Sequence, residues 1–168
     1  MTRPKLNIER EFSDRIFDGL TLIFLILIIA WPLYYYSDLS ESIPTHYNSW
    51  GEPDKLSQKG KIWTLPILGV VMSVGLFILN RFPHLFNYPV QITKENTAQQ
   101  YLKATQFIRK LNTIITASLF YIVYSTIQTA LNEQNGLGVL FLPLFLLLIF
   151  ISIGNYLYQA LKKENRNV

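Results

Sequence analysis

The stretch GLTLIFLILIIAWPLYYYS, residues 19–37, contains no charged side chain and decides the class of fold. About 20 apolar residues in a helix cross the roughly 30 Å of hydrocarbon in a bilayer, because each residue advances about 1.5 Å. Peptide groups in lipid must pair within the chain, which favours a helix over an open sheet. The stretch therefore predicts a membrane-spanning helix over about 17–37.

Three further uncharged stretches have the same character. They are IWTLPILGVVMSVGLFILN at 62–80, LNTIITASLFYIVYSTIQTALN at 111–132 and GLGVLFLPLFLLLIFISIGNYLYQAL at 136–161. We expect spans over about 61–80, 111–132 and 137–160, within one integral membrane domain over 1–168. Hydroxyl groups dilute the third stretch, but a packed bundle tolerates them because they bond to neighbouring helices. The predicted fold class is an all-α membrane protein with four transmembrane helices.

The distribution of basic residues predicts the orientation of these spans. Of the 15 Lys and Arg residues, only Lys55, Lys59 and Lys61 lie between the first two spans. The others lie in the N-terminal segment, in the connection between the second and third spans, and in the C-terminal tail. Because cytoplasmic loops are enriched in Lys and Arg, both termini are predicted to be cytoplasmic. The basic residues are scattered and form no motif, so we expect no nucleic-acid binding.

The connection between the second and third spans is predicted to contain a cytoplasmic interfacial helix. Thr93 is of the N-cap type and precedes a helical pattern that begins at Lys94. We expect the segment 98–108 to lie along the membrane surface before the chain bends into the third span. Arg109 and Lys110 would then mark the crossing point and contact anionic lipid.

The loop over 38–60 is predicted to be the main extracytoplasmic loop, and to be ordered. Pro44 restricts the backbone on both sides of its peptide bond, and Asn48 and Gly51 favour tight bends. Aromatic residues in and beside the loop suit the headgroup level of a membrane, where a ring can be half buried. We therefore expect the loop to fold down over the helix ends.

Three side chains in this loop could form a metal site. A turn at Gly51 could bring together His46, Glu52 and Asp54, and an imidazole with two carboxylates suits zinc. A second interpretation is that His46 bonds within the loop while the acids are solvated or pair with lysines. A third is that the loop is a recognition surface for an extracellular peptide or another partner.

The loop also resembles a known family. The residues that carry the resemblance lie in the stretch SIPTHYNSWGEPDKLSQK, namely Ile43, Pro44, His46, Tyr47, Gly51, Asp54 and Lys59. They are similar to a pattern of a bacterial membrane-domain family catalogued as domain of unknown function sixteen forty-eight. Ser40 departs from that pattern, which has a proline at this position. The same domain forms the N-terminal part of immunity proteins that protect cells from the sporulation-delaying (Sdp) toxin.

A second stretch, NRFPHLFNYPVQITKENTAQQY at 80–101, looks like the segment that follows the second helix in members of that family. The matching positions include Pro83, His84, Asn87, Pro89 and Asn96. By topology His84 lies on the cytoplasmic side, so that a bilayer separates it from His46. The resemblance implies a location in the bacterial plasma (inner) membrane, with the N terminus and the C terminus both inside.

The sequence contains few of the features that an enzyme or a transporter needs. It has no cysteine and no HExxH, GxSxG or phosphate-binding glycine motif, so we expect no catalytic residue and no enzymatic activity. No cofactor is expected, although His46, Glu52 and Asp54 leave zinc open. Transporters usually keep ionisable residues in the hydrocarbon, and here Asp18 lies only at the edge of the first span.

These features favour a non-enzymatic module of the immunity or signalling type. Its environment would be the lipid bilayer, and its partner would be an extracellular peptide or another membrane protein that binds the loop from His46 to Asp54. One alternative is a metal-dependent membrane enzyme at His46, Glu52 and Asp54. Another is a small transporter or channel formed by an oligomer, and the sequence does not define an oligomeric state.

Overall fold

Four long helices and one β-hairpin make up the computed structural model, which describes residues 3–162. In chain order the elements are α1 (Phe12–Tyr35), β1 (Ser42–Tyr47), β2 (Pro53–Gln58), α2 (Thr64–Leu79), α3 (Thr97–Ala130) and α4 (Phe141–Leu161). Short 3-10 turns over Lys59–Trp63 and Pro83–Leu85 flank α2. Four helical segments are long and apolar enough to cross a membrane, one of them being α2 together with its leading turn. The chain is therefore a multi-pass membrane protein with four spanning helices, as predicted.

The hairpin corrects the prediction of an all-α fold. Strands β1 and β2 pair antiparallel, with Ser42 opposite Gln58 and Tyr47 opposite Pro53, and the pairing is irregular around His46. The bends that the sequence predicted at Asn48 and Gly51 lie at the tip. Strand character was missed because β2 has almost no apolar residue, so the segment lacks the alternation that identifies a half-buried strand.

Helix α3 is the centre of the bundle, since it packs against α1, α2, α4 and β1. It is one continuous helix of 34 residues, which replaces the expected interfacial helix, bend and third span. At 1.5 Å per residue it is about 51 Å long, so it extends well beyond the hydrocarbon core of a bilayer. It begins at Thr97 rather than Lys94, because Asn96 Oδ1 accepts a hydrogen bond from the Thr93 amide at 2.8 Å and stabilises a turn there.

The hydroxyl groups of α3 find partners inside the bundle, as expected. Thr113 Oγ1 lies 2.8 Å from Thr21 Oγ1 of α1, and Thr116 Oγ1 donates to the Asn112 carbonyl at 2.7 Å. Asn112 Nδ2 donates to the Ser73 carbonyl of α2 at 3.3 Å. These bonds explain how the least apolar of the four helices is accommodated at the centre of the bundle.

The hydrophobic core lies beneath the hairpin. Ile43 of β1 is fully buried against Ile28 of α1 and against Val123 and Ile127 of α3. Helix α4 packs chiefly against α3 and leaves most of its surface open within the chain. The hairpin is therefore part of the folded core, whereas α4 is peripheral.

Arg109 lies deeper in the bundle than the sequence suggested. It lies in α3 with 12% of its side chain exposed, and its guanidinium is 3.5 Å from Asp14 Oδ1 and 3.3 Å from Asp18 Oδ1. Asp14 is itself almost fully buried, and its Oδ2 accepts a hydrogen bond from the Glu11 amide at the start of α1. The ion pairs draw the arginine inward and join α1 to α3.

Candidate functional site

The tip of the hairpin is fixed by its own hydrogen bonds. Asn48 Oδ1 accepts bonds from the backbone amides of Trp50 and Glu52, at 2.9 and 3.0 Å. The Gly51 amide donates to the Asn48 carbonyl at 2.9 Å, and Gly51 has a φ of +80°, which a residue with a side chain rarely adopts. The tip is therefore a defined turn that holds Trp50 in one place.

The tip is seated on the turn between α3 and α4. The Leu137 amide donates to the Gly51 carbonyl at 2.7 Å. A Cβ atom on Gly136 would lie 2.1 Å from the Gly51 carbonyl oxygen, and one on Gly51 would lie 2.6 Å from the Gly138 carbonyl oxygen. We call Gly51, Gly136 and Gly138 the glycine contact, because two backbones meet there at a distance that side chains would prevent.

Side chains of α3 hold the α3–α4 turn in place. Ser125 Oγ donates to the Gly136 carbonyl at 2.7 Å, and the Tyr121 hydroxyl donates to the Leu137 carbonyl at 2.9 Å. Thr129 Oγ1 accepts a bond from the Gly136 amide at 3.0 Å. The hairpin thus rests on a surface that is itself tied to the central helix.

Tyr47 and Pro44 attach the strand β1 to the bundle. The Tyr47 hydroxyl lies 2.9 Å from Thr126 Oγ1 of α3, and Pro44 is buried beside Ile43. Burial raises the pKa of the Tyr47 phenol, and the hydrogen bond to Thr126 partly opposes this rise. Tyr47 is therefore a neutral structural anchor near pH 7.

The structure brings together two of the three candidate metal ligands and not the third. His46 Nδ1 lies 2.6 Å from Asp54 Oδ1, and both side chains are substantially exposed. Glu52 Oε2 instead accepts a hydrogen bond from Asn48 Nδ2 at 3.0 Å. Within residues 3–162, no group of three or more His, Cys, Asp or Glu side chains is placed to hold a metal ion.

Lys59 closes the base of the hairpin. Its Nζ is 2.8 Å from Glu41 Oε1 and 5.4 Å from the centre of the Tyr36 ring. This motif lysine therefore links the end of α1 to the chain that enters α2.

An open cleft lies between the hairpin, the start of α2 and α3. Its volume is about 280 Å³, and its lining includes Pro44, Tyr47, Ser57, Lys61 and Thr126. The lining combines apolar surface with hydroxyls and one ammonium group.

Two large apolar side chains of the hairpin point away from the core. Trp50 is 65% exposed and Leu56 is 62% exposed. Along β2 nearly every side chain is exposed. Backbone hydrogen bonds in the described part of the chain join this strand to β1 and to no other element. The outer surface of the hairpin therefore offers both an unpaired strand edge and an uncovered indole.

The second motif lies at the other end of α2, in the turn that leads to α3. Helix α2 has 16 residues, so it separates the two motifs by about 24 Å. Pro83 is buried and starts the short 3-10 turn, while Asn87 and Pro89 are exposed. The His84 ring stands edge-on to Phe82 at 6.2 Å, so it belongs to an aromatic elbow.

Tyr88 holds this elbow together. Its hydroxyl donates to the Pro83 carbonyl at 2.8 Å, and its ring stacks on Tyr101 of α3 at 5.6 Å. The Arg3 guanidinium lies over the Tyr88 ring, 5.3 Å from its centre. Asn96 Nδ2 donates to the Gln91 carbonyl at 2.9 Å. The second motif is thus a packing element that joins the N-terminal segment to α3.

Several residues of the site were absent from the sequence-based prediction. Gly136, Gly138 and Leu137 form the seat of the hairpin tip, and Thr126 bonds to Tyr47. Gly136 and Gly138 in the short third loop could have indicated a tight turn, because closely spaced glycines often mark positive φ values. Both residues have a φ near +77°. Their contact with Gly51 could not be read from sequence without the fold.

Comparison with known proteins supports the resemblance carried by the first motif. Residues 23–70 match the family described as Domain of unknown function (DUF1648). This range contains the C-terminal half of α1, the whole hairpin and the first turns of α2, and the second motif lies outside it. An uncharacterized protein of Archaeoglobus fulgidus is 26% identical over 155 residues, which cover 80% of this chain and 85% of the relative. No solved structure matches the chain. Residues 23–70 of this multi-pass membrane protein are therefore similar to the DUF1648 family, and the matched range contains the whole hairpin.

Proposed function

We propose that this chain is a non-enzymatic protein of the bacterial plasma membrane that binds an extracytoplasmic peptide or protein with its hairpin. The observation that carries the proposal is the exposure of Trp50 on a rigid tip. Leaving an indole in water is unfavourable, and rigid aromatic side chains are the commonest anchors of protein interfaces. The tip is already ordered, so a partner would not have to order it on binding.

The adjoining features suit an extended peptide. The free edge of β2 offers backbone groups for an additional strand, and the cleft beside Tyr47 and Lys61 offers a pocket for one side chain. The exposed pair of His46 and Asp54 lies on the same hairpin and adds polar contacts. A metal-dependent activity is less well supported, because Glu52 bonds to Asn48 instead of joining this pair.

The orientation that follows places the hairpin outside the cell and both termini inside. The excess of Lys and Arg in the N-terminal segment, between residues 81 and 110 and in the C-terminal tail supports it, because only Lys55, Lys59 and Lys61 lie on the hairpin side. Selective labelling of the two faces in intact cells tests this orientation.

Replacement of the exposed indole tests the binding function. Trp50→Ala should weaken capture of the partner by about 30-fold, since an interface anchor contributes about 2 kcal/mol or more. The matched control is Tyr34→Ala, because Tyr34 is 76% exposed at the end of α1 near the same membrane face but lies outside the hairpin. The measurement is crosslinking and pull-down from native membranes, with mass spectrometry of the captured proteins.

Equal capture by the Trp50 variant and the unaltered chain would contradict the proposal, as would crosslinks from position 50 to lipid alone. The resemblance to immunity proteins suggests a toxin peptide as one partner. Expression of the chain should then protect a toxin-sensitive cell, and Trp50→Ala should remove that protection while Tyr34→Ala keeps it. Failure to protect, with capture intact, would exclude the immunity role and leave the binding role.

A further inference from the structure

A polar cavity lies at the end of the bundle opposite the hairpin. Its volume is about 340 Å³, and it is bounded by the N-terminal segment 6–10, by the end of α2 and by α3. Three arginines line it, Arg10, Arg81 and Arg109, one from each of these three parts. Arg81 belongs to the second motif stretch, 80–101, whereas Arg10 and Arg109 lie outside both motifs.

The positive charge around the cavity is only partly neutralised. Arg109 pairs with Asp14 and Asp18, and Arg10 lies 3.6 Å from Asp18. Arg81 has no ion pair within residues 3–162, and its guanidinium lies 5.0 Å from the centre of the Phe77 ring. The three arginines are therefore accompanied by two carboxylates, Asp14 and Asp18, which approach only Arg10 and Arg109 and do not line the cavity. The surplus charge is available to an anion.

The charge pattern of the helices indicates the depth of the cavity in a membrane. The uncharged stretches of α1, α2 and α3 end beside Asp18, Arg81 and Lys110, respectively. These ends mark the boundary between hydrocarbon and headgroups. A partly enclosed site at this boundary exposes an anion to less water than an open surface does, which strengthens its attraction to arginine.

We propose that this cavity, which we call the arginine cavity, binds a phosphate anion. The shared chemistry is a tetrahedral phosphate, carried either by a phospholipid headgroup or by a free phosphate ion. The planar fork of guanidinium matches two phosphate oxygens at once, so arginines converging on one cavity favour this ligand over a monovalent halide. The proposal is independent of what the hairpin binds.

Three variants that each lower the net charge by one test the site. Arg81→Ala removes the arginine without an acidic partner, and Asn80→Asp places a carboxylate in the lining while keeping all three arginines. Arg15→Ala is the control, because Arg15 is exposed on α1 and does not line the cavity. Each purified variant is first checked for a single species in detergent and for an unchanged helical spectrum.

The probes are phosphatidylglycerol, followed by native mass spectrometry, and inorganic phosphate, followed by calorimetry in lipid-free detergent. Arg81→Ala and Asn80→Asp should each weaken binding by about tenfold or more, since one charge-assisted hydrogen bond contributes that much. Arg15→Ala should change it by less than about twofold, because exposed single charges contribute little. If the cavity variants weaken binding of phosphatidylglycerol alone, the bound phosphate is that of a lipid headgroup. If they also weaken binding of inorganic phosphate, the site binds the free ion.

Three results would overturn the proposal. One is a loss in Arg15→Ala as large as the loss in the cavity variants, since basic residues near a membrane attract anionic lipid without any specific site. Another is unchanged binding in both cavity variants. The last is the absence of binding of either probe to the unaltered chain.

Discussion

Gly136→Ala is expected to lower the free energy of unfolding by about 2 to 5 kcal/mol, with about 1–2 from the left-handed backbone and the rest from overpacking. The residue has a φ of +76°, and an added Cβ would lie 2.1 Å from the Gly51 carbonyl oxygen. That atom is backbone, so the clash cannot be relieved by turning a side chain. The hairpin tip must move off the α3–α4 turn, and the Leu137 to Gly51 hydrogen bond is lost.

Gly138→Ala separates the two causes of this loss. Gly138 has a φ of +77°, but a Cβ added there meets nothing within 4 Å. It should therefore show the backbone cost alone, about 1 to 2 kcal/mol. The measurement is chemical unfolding in detergent micelles, followed by circular dichroism. A Gly136 variant no less stable than the Gly138 variant would show that the glycine contact does not hold the hairpin.

Arg109→Met is expected to destabilise the bundle by about 3 to 5 kcal/mol, the usual effect of removing one partner from a buried ion pair. The reason is Asp14, whose side chain is 2% exposed and would lose its cation. Asp18 would also lose one of its two arginines, although Arg10 remains 3.6 Å away. The same unfolding measurement in detergent checks the prediction.

The double variant Asp14→Asn with Arg109→Met is the control for this prediction. Asparagine keeps an acceptor for the Glu11 amide, which now bonds to Asp14 Oδ2, but it carries no charge. Replacing both members of a buried pair is far less costly than removing one, so the double variant should recover most of the stability. A double variant that is as unstable as Arg109→Met would show that the buried charge of Asp14 is not the cause.

The spanning helices could be predicted from the sequence because lipid leaves the chain little choice. Uncharged stretches of the required length must form helices, and the boundaries of α2 and α4 lie within a few residues of those expected. The start of α4 at Phe141 also places Pro143 in the first turn, where a missing amide is harmless. Local composition was sufficient for these features.

The arrangement of the site depended on contacts between distant parts of the chain. The hairpin tip at Gly51 meets Gly136 and Gly138, and its strand bonds to Thr126, which no local pattern indicates. His46, Glu52 and Asp54 are close in sequence, but the Glu52 carboxylate accepts a hydrogen bond from Asn48 and does not join the other two side chains. The hydrogen bonds of the turn at the tip determine which partner Glu52 has. Composition alone does not show which of the possible hydrogen bonds will form.

The burial of Arg109 was missed for a related reason. A basic residue at the end of an apolar stretch usually contacts headgroups. Only the packing of α1 against α3 shows that Asp14 and Asp18 face Arg109. Acidic residues early in α1 were visible in the sequence, but the face on which they lie was not.

The hairpin and the arginine cavity are proposed to lie on opposite sides of the membrane, with the hairpin outside. The chain has no cysteine, so Lys55→Cys and Lys94→Cys each create a unique thiol at an exposed position. A membrane-impermeant maleimide applied to intact cells should label position 55, and should label position 94 only after the cells are permeabilised. Labelling of position 94 but not of position 55 in intact cells would contradict the orientation, and labelling of both would contradict the division of the chain by a bilayer.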